Sequence, residues 1–405
     1  MSSELWKDST LGELFEIVTG TTPSKSKAEF YGDFMPLIKP PELHGGSIEK
    51  STDGLSELGS KQARILPPDS VLVSCIGNLG KLGMNSSPVA FNQQINAIKP
   101  NYEIAIPKFV FYYCMSNKFR EQLHYLASGT TVSLVNKTKF KSIKISLPSL
   151  NEQQRIVSIL DEVFENISNS SKRVEQKLLD TNELFQSVIH TIITLDGHSW
   201  DEFALDELTH KITKGSSPKW QGVSYIDEPG VLFVTSENVG NNQMIYKKTK
   251  FVEDKFNEID SKSILQKGDV LTNIVGASIG RTAVFDKHDN ANINQAVCLI
   301  RCKKEKLVNK YLAYLLNSHS FKQILHDNEV NTARANLSLG FFRSLVIPVP
   351  TISEQYEIVE QLEEIADNYE KLLNNYSDEM KEIDELKQSI LQEAFNGNLT
   401  KEITA

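Results

Sequence analysis

Apolar positions follow two different rhythms along this chain. Over residues 350–405, Ile358, Leu362, Ile365, Tyr369, Leu372 and Tyr376 step by 4, 3, 4, 3 and 4, and Ile383, Leu386 and Ile390 resume the pattern after Met380. That is the spacing of a helix packed along another helix through one seam. A looser version occupies residues 148–197, through Ile156, Leu160, Val163, Ile167, Val174, Leu178, Leu184, Val188 and Ile192. Each stretch opens on proline and a capping box, Ser149 with Glu152 and Thr351 with Glu354, and each closes near glycine, Gly197 and Gly397. Helices of about 40 residues would be roughly 60 Å long, too long to be buried inside a globular part, so they are expected to pack on each other, antiparallel.

The regions before the long helices have the other rhythm. Short apolar stretches at 70–76 and 94–98, set between Gly, Pro, Asn and Ser clusters, read as strands, and 269–275 with 296–300 repeat them. Residues 108–126 and 310–325 each read as one amphipathic helix. The stripe is Phe109, Tyr112, Phe119 and Leu123 in the first, and Tyr311, Tyr314, Phe321 and Leu325 in the second, which makes these aromatics core residues.

These parallels are an internal duplication. LPSLNEQQRIVSILDE from Leu147 returns as VPTISEQYEIVEQLEE from Val349, and an offset of 202 carries Pro148 to Pro350, Glu152 to Glu354, Gln153 to Gln355 and Leu160 to Leu362. The register holds to Leu184, Gln186 and Ser187, which meet Leu386, Gln388 and Ser389, and backward to Asn92, Gln93, Phe119, Leu123, His124 and Ser142. An unbroken offset suits a helix with one buried stripe, because an inserted residue would rotate that stripe by about 100°. Further upstream the offset drifts, as between LPPDSVLVSCIGNLGK at Leu66 and LQKGDVLTNIVGASIGR at Leu265, or GTTPSK at Gly20 and GSSPKW at Gly215. Insertions there belong in loops between strands.

The 405 residues accommodate two globular copies with a helix each, and 40% hydrophobic content supports real cores. No apolar run approaches a membrane span and the start MSSELWKDST lacks a signal pattern, so a cytoplasmic protein is expected. The four cysteines, Cys75, Cys114, Cys298 and Cys302, do not correspond between the copies, as fits unpaired core thiols. A net charge of -9 argues against nucleic acid only until it is mapped. Residues 349–405 hold 14 acidic and 4 basic side chains, so the remainder carries +1, and 104–146 has seven basic residues against Glu121. Charge acts within a Debye length of roughly 8 Å, so a basic face on an acidic chain remains a phosphate-contact candidate.

Catalytic motifs are thin. GASIGRT from Gly276 lacks phosphate-loop spacing and its counterpart GNLGK is one residue shorter, so both read as strand turns. Cys298 and Cys302 have no second ligand pair at zinc spacing. His124 and His326 recur on a helix and read as packing or capping residues. No Asn-Pro-Pro-aromatic or Asp-Pro-Pro-aromatic sequence is present, and no activity is expected of the chain alone.

Two similar but unequal globular parts on paired helices match a duplex read at two separated places. The order of globular part, long helix, globular part, long helix, with P-x-[LI]-x-E-Q opening each helix and L-x-Q-S near its end, resembles the specificity subunit of Type I restriction-modification enzymes over essentially the whole chain. The resemblance implies an α+β fold with target-recognition domains at 1–147 and 198–349, and spacer helices at 148–197 and 350–405 that form an antiparallel coiled coil acting as a ruler, the whole being a pseudo-twofold repeat. It implies double-stranded DNA as ligand, with two DNA methyltransferase subunits and ATP-driven restriction subunits as partners. S-adenosylmethionine, ATP and Mg would then be held by those partners, with no cofactor on this chain.

Base edges are read by forked or bidentate donors, and phosphates are held by Ser, Thr and Lys. The candidates in the first domain are Thr21, Lys25, Lys27, Asn78, Lys81, Thr130, Thr131, Asn136 and Lys137. In the second they are Lys214, Ser216, Lys219, Ser278, Arg281, Thr332, Arg334 and Asn336. The Gly-Thr-Thr-Pro and Gly-Ser-Ser-Pro segments also read as plain turns. Asn92, Gln93, Asn294 and Gln295 are identical in the two copies, and heads that read different bases should differ at reading positions, which assigns this pair to scaffold or phosphate contact. Two other classes stay open: a coiled-coil adaptor that binds only proteins, and a nucleotide-dependent enzyme.

Overall fold

The computed structural model describes residues 6–48, 50–129, 132–194, 200–227, 230–287, 290–329 and 335–400. The chain divides into two units, residues 1–175 with 377–405, and residues 176–376. Each unit owns half of each long helix, Leu150–Thr194 and Ile352–Phe395.

In the first unit the main sheet runs Ile17–Thr19, Ile95–Ile98, Val71–Ser74, Leu82–Asn85, Ser47–Ile48; its first four strands are antiparallel neighbours and the last pairs parallel. A smaller sheet centres on Tyr31–Ile38 beside Val89–Phe91, a parallel pair. Lys7–Thr10 pairs with Lys144–Leu147 and closes the globular part just before the long helix. The second unit repeats the plan with Thr209–Lys214, Val297–Cys302, Val270–Asn273 and Thr282–Val284 in one sheet. There Val231–Val234 lies parallel to Ala291–Ile293 in the other, and Asp201–Ala204 pairs with Val346–Val349. The expected strands are all present. GNLGK and GASIGRT are turns joining adjacent antiparallel strands, Gly276 and Gly280 having positive φ.

The single helices expected at 108–126 and 310–325 are instead two helices each. Pro107–Met115 breaks at Ser116 before Asn117–Tyr125, and Asn309–Asn317 breaks at Ser318 before His319–Asp327. Both serines are extended (φ -71 and -64, ψ 153), and their hydroxyls cap the following helix by accepting from Phe119 and Phe321 N–H. The stripe spacing survives the break because both helices bury apolar residues in the same core.

Each long helix is anchored by its repeated glutamine. Gln153 is fully buried; its Oε1 accepts from Ile106 N–H at 2.9 Å, and its amide donates to Pro148 and Ile104 carbonyls at 3.0 and 3.2 Å. Gln355 does the same with Val308, Pro350 and Lys306 at 2.7, 2.9 and 3.0 Å. The preceding carboxylate completes the cap, with Glu354 accepting from Thr351 N–H at 2.8 Å. The P-x-[LI]-x-E-Q element is thus a welded corner between the long helix and the loop that starts the short-helix pair.

Within each unit the two long helices run antiparallel, so the far end of one completes the core beside the near end of the other. In the first unit Leu391, Ala394 and Phe395 join Phe109 and Tyr113, with Phe395 edge-on to both rings at 5.2 and 5.4 Å. In the second, Ile189 and Ile193 join Tyr311, Ile358 and Leu362. The seam departs from the expected one midway. Leu178, Leu184, Leu372 and Leu386 are exposed, while Phe185 stacks on Tyr369 at 4.0 Å and Tyr369 hydrogen-bonds Asn182. A 3.6-residue helix drifts against a seven-residue repeat, so a stripe counted in strict 3–4 steps leaves the buried face after a few turns.

Candidate nucleic-acid interface

One end of each globular part gathers the loops that carry the polar candidates. In the first unit, Gly20 N–H donates to Ile95 O and Thr21 N–H to Phe91 O, pinning this loop against the Asn92–Gln93 turn. A Cβ on Gly20 would lie 2.1 Å from Asn92 O, so only glycine allows that approach. Cys75 N–H donates to Gln94 O, and Gly77 N–H to Ser133 O, which adds the 76–81 turn and the 133–136 segment to the same edge. The second unit repeats this: a Cβ on Gly215 would lie 1.8 Å from Ile293 O, Ile274 N–H donates to Ala296 O, and Gly276 N–H to Ala335 O.

The repeated Asn-Gln pair divides its roles. Asn92 is buried with Oδ1 accepting from Gln94 N–H at 3.1 Å, and Asn294 Oδ1 accepts from Ala296 N–H at 3.0 Å. Both asparagines close the turn before a core strand. Gln93 and Gln295 are exposed at its tip, where Gln93 accepts from Thr22 Oγ1 at 2.8 Å.

Other candidates sort by what already holds them. Thr21 Oγ1 accepts from Arg64 N–H at 3.0 Å, and Arg64 reaches Thr19 O, which brings a guanidinium to this edge. Lys27 lies over the Phe30 ring at 5.1 Å beside exposed Lys25 on an outer arm of the loop. Asn78 gives its carbonyl to Ser74 Oγ and leaves its side chain exposed, and Lys81 follows in the same turn. Asn136 is a helix cap, Oδ1 accepting from Lys139 N–H at 2.9 Å, with Lys137 exposed beside it. In the second unit Ser278 Oγ accepts from Asn273 at 3.2 Å, and Asn336 pairs across to Val275. Among the described residues, Ser216 and Asn336 each keep a side-chain oxygen buried without a hydrogen-bond partner. Arg281 is exposed; burial and Arg281 together hold the Lys322 ammonium below the usual lysine range, so two cations crowd one spot. Lys214 is half-buried and Lys219 exposed. Thr130, Thr131, Thr332 and Arg334 lie outside the described residues.

His124 and His326 stand in the last turn of their helices, both exposed, and His326 pairs with Glu329 at 2.5 Å. All four cysteines are buried free thiols, and burial pushes Cys298 and Cys302 up to about 12. Sequence reasoning missed Arg64, which is 43 residues from Thr21 and joins it only through the fold. It also missed Trp220, which closes the GSSPKW segment and is exposed.

Two α+β units, each ending in a polar and basic loop edge and each welded to a long helix, define a duplicated recognition scaffold. The model of the Type I restriction modification DNA specificity domain matches twice, over residues 3–179 and 198–381, and the chain belongs to this family. It is 37% identical over 179 residues to the Type I restriction enzyme HindI specificity subunit of Haemophilus influenzae, which is 42% of this chain and 39% of that one. It is 24% identical to the StySPI specificity subunit of Salmonella potsdam over 98% of this chain and 90% of the relative. A solved chain from a study of assembly and conformational transition in the type I R-M system has the same fold, with TM-score 0.77 and 21% identity over 97% of this chain and 98% of that one. Among the described residues no helix is long and apolar enough to cross a membrane.

Proposed function

We propose that this chain is the DNA-recognition subunit of a Type I restriction-modification complex and binds an asymmetric two-part DNA site, one part per unit. The observation that carries this is the duplicated loop edge: one scaffold of Gly, Asn and Gln holds different side chains in each copy, such as Lys81 against Arg281 and Thr21 against Ser216. Equal scaffolds with unequal contact residues suit half-sites of different sequence. The long helices set the gap between the half-sites.

The working subunits are two DNA methyltransferases, joined by ATP-dependent restriction subunits, which bring S-adenosylmethionine, ATP and Mg. Leu184 and Leu386, equivalent by the repeat and exposed at 64% and 52%, support a docking face presented twice to one kind of partner. The test is base-modification mapping by long-read sequencing in cells that carry this chain with its methyltransferase. The expected result is one bipartite, non-palindromic motif. A palindromic motif, or none, overturns the proposal, and a lack of salt-dependent DNA binding favours the protein-only adaptor.

A further inference from the structure

In the second unit the edge carries an aromatic side chain with no packing role. Trp220 is 86% exposed, at the tip of the short turn Pro218–Gln221. Trp6 and Trp200, the other two tryptophans of the chain, are half-buried.

The turn beneath Trp220 is rigid. Pro218 is buried, Gly222 ends the turn at φ 66, and Val223 N–H returns to Pro218 O at 3.0 Å. Val223 is then buried with Phe233 and Phe256, and Ser224 N–H is held by Glu253 at 3.0 Å. On the other side, Gly215 is locked against Ile293 and the Asn294–Gln295 turn. A large apolar side chain held out in water on a fixed pedestal loses little conformational entropy when a ligand covers it, which is how aromatic anchors act in interfaces. Its neighbour Lys219 is exposed, and on the adjoining strand Tyr225 is 56% exposed beside Lys250. Aromatic rings alternating with lysines fit a polyanion with apolar faces between its charges, as nucleic acid has.

We infer that Trp220 is a DNA contact of the second unit, its indole packing on a base or deoxyribose in the groove of that half-site while Lys219 meets the adjacent phosphate. In the corresponding turn of the first unit, Ala28–Phe30, the aromatic Phe30 is half-buried with Lys27 over its ring. The two half-sites are therefore held by different means, the second with an apolar component that salt does not screen. This inference rests on the function proposed above.

The experiment uses the full chain assembled with its methyltransferase and a duplex bearing the mapped motif. Acrylamide quenching of tryptophan emission is measured with and without saturating DNA, for the wild type and for Trp220→Phe. DNA should shield most of the accessible emission in the wild type and change nothing in the variant. Trp220→Ala should weaken binding about tenfold, with the slope of affinity against salt unchanged and Trp220→Phe largely restoring it. Trp220 emission that stays fully accessible under saturating DNA overturns the inference while leaving the proposed function standing. A wild-type assembly with no salt-dependent binding overturns both.

Discussion

Gln153 and Gln355 show how much one side chain can decide. Each buried amide accepts from one backbone N–H and donates to two backbone carbonyls, and removing it takes that partner from all three. Gln355→Leu should destabilise the second unit by about 3 kcal/mol in urea unfolding, and Gln153→Leu the first by a similar amount. The thiols make a second prediction. Burial raises Cys75, Cys298 and Cys302 from an ordinary 9.0 to about 12. Each folded thiol thus keeps its proton where the unfolded one has lost it. Their stabilising contribution is whole below about pH 9 and is lost as pH rises toward about 12. Urea unfolding between pH 8 and 11 should show stability falling above pH 9, with a shallower fall in Cys298→Ala.

Among the elements, the short-helix pair is the clearest case of local chemistry overruling a periodic pattern. A serine in extended conformation stops one helix and caps the next, and the following Phe119 or Phe321 still reaches the core. Ser318→Ala should cost about 1 kcal/mol, read as a lowered unfolding midpoint of the second unit. The long helices show the converse, a pattern right in kind and drifted in detail. The strict count takes in Leu184 and Leu372, which are exposed, and passes over Phe185, which stacks on the counted Tyr369. Under the proposed function the two exposed leucines at repeated positions, Leu184 and Leu386, form the docking face. Leu184→Ser with Leu386→Ser should leave unfolding unchanged and lower the number of methyltransferase subunits bound, measured by mass photometry.

For the molecule as a whole, the proposal ties helix length to DNA spacing. Removing seven residues at matched positions from both long helices shortens the paired segment by about 10 Å, about three base pairs of duplex, and keeps the seam in phase. Base-modification mapping should return the same two half-sites with a shorter gap. An unchanged gap would separate the helices from the spacing. Exchanging residues 1–147 for the same part of a relative should change one half-site alone.

The duplication, the capping boxes, the core strand segments of each copy and the paired long helices are readable from the chain, because each rests on short-range spacing that recurs between the copies, whereas the order of the strands in each sheet is decided by the fold. Loop ends are not readable either. Whether Arg64 stands beside Thr21, and whether Gln93 meets Thr22, depend on which segments the sheets bring together across about 40 to 70 residues. Periodicity reports which face of an element is buried, but it does not report what a turn points at; that is decided only when the backbone hydrogen bonds of distant strands have closed.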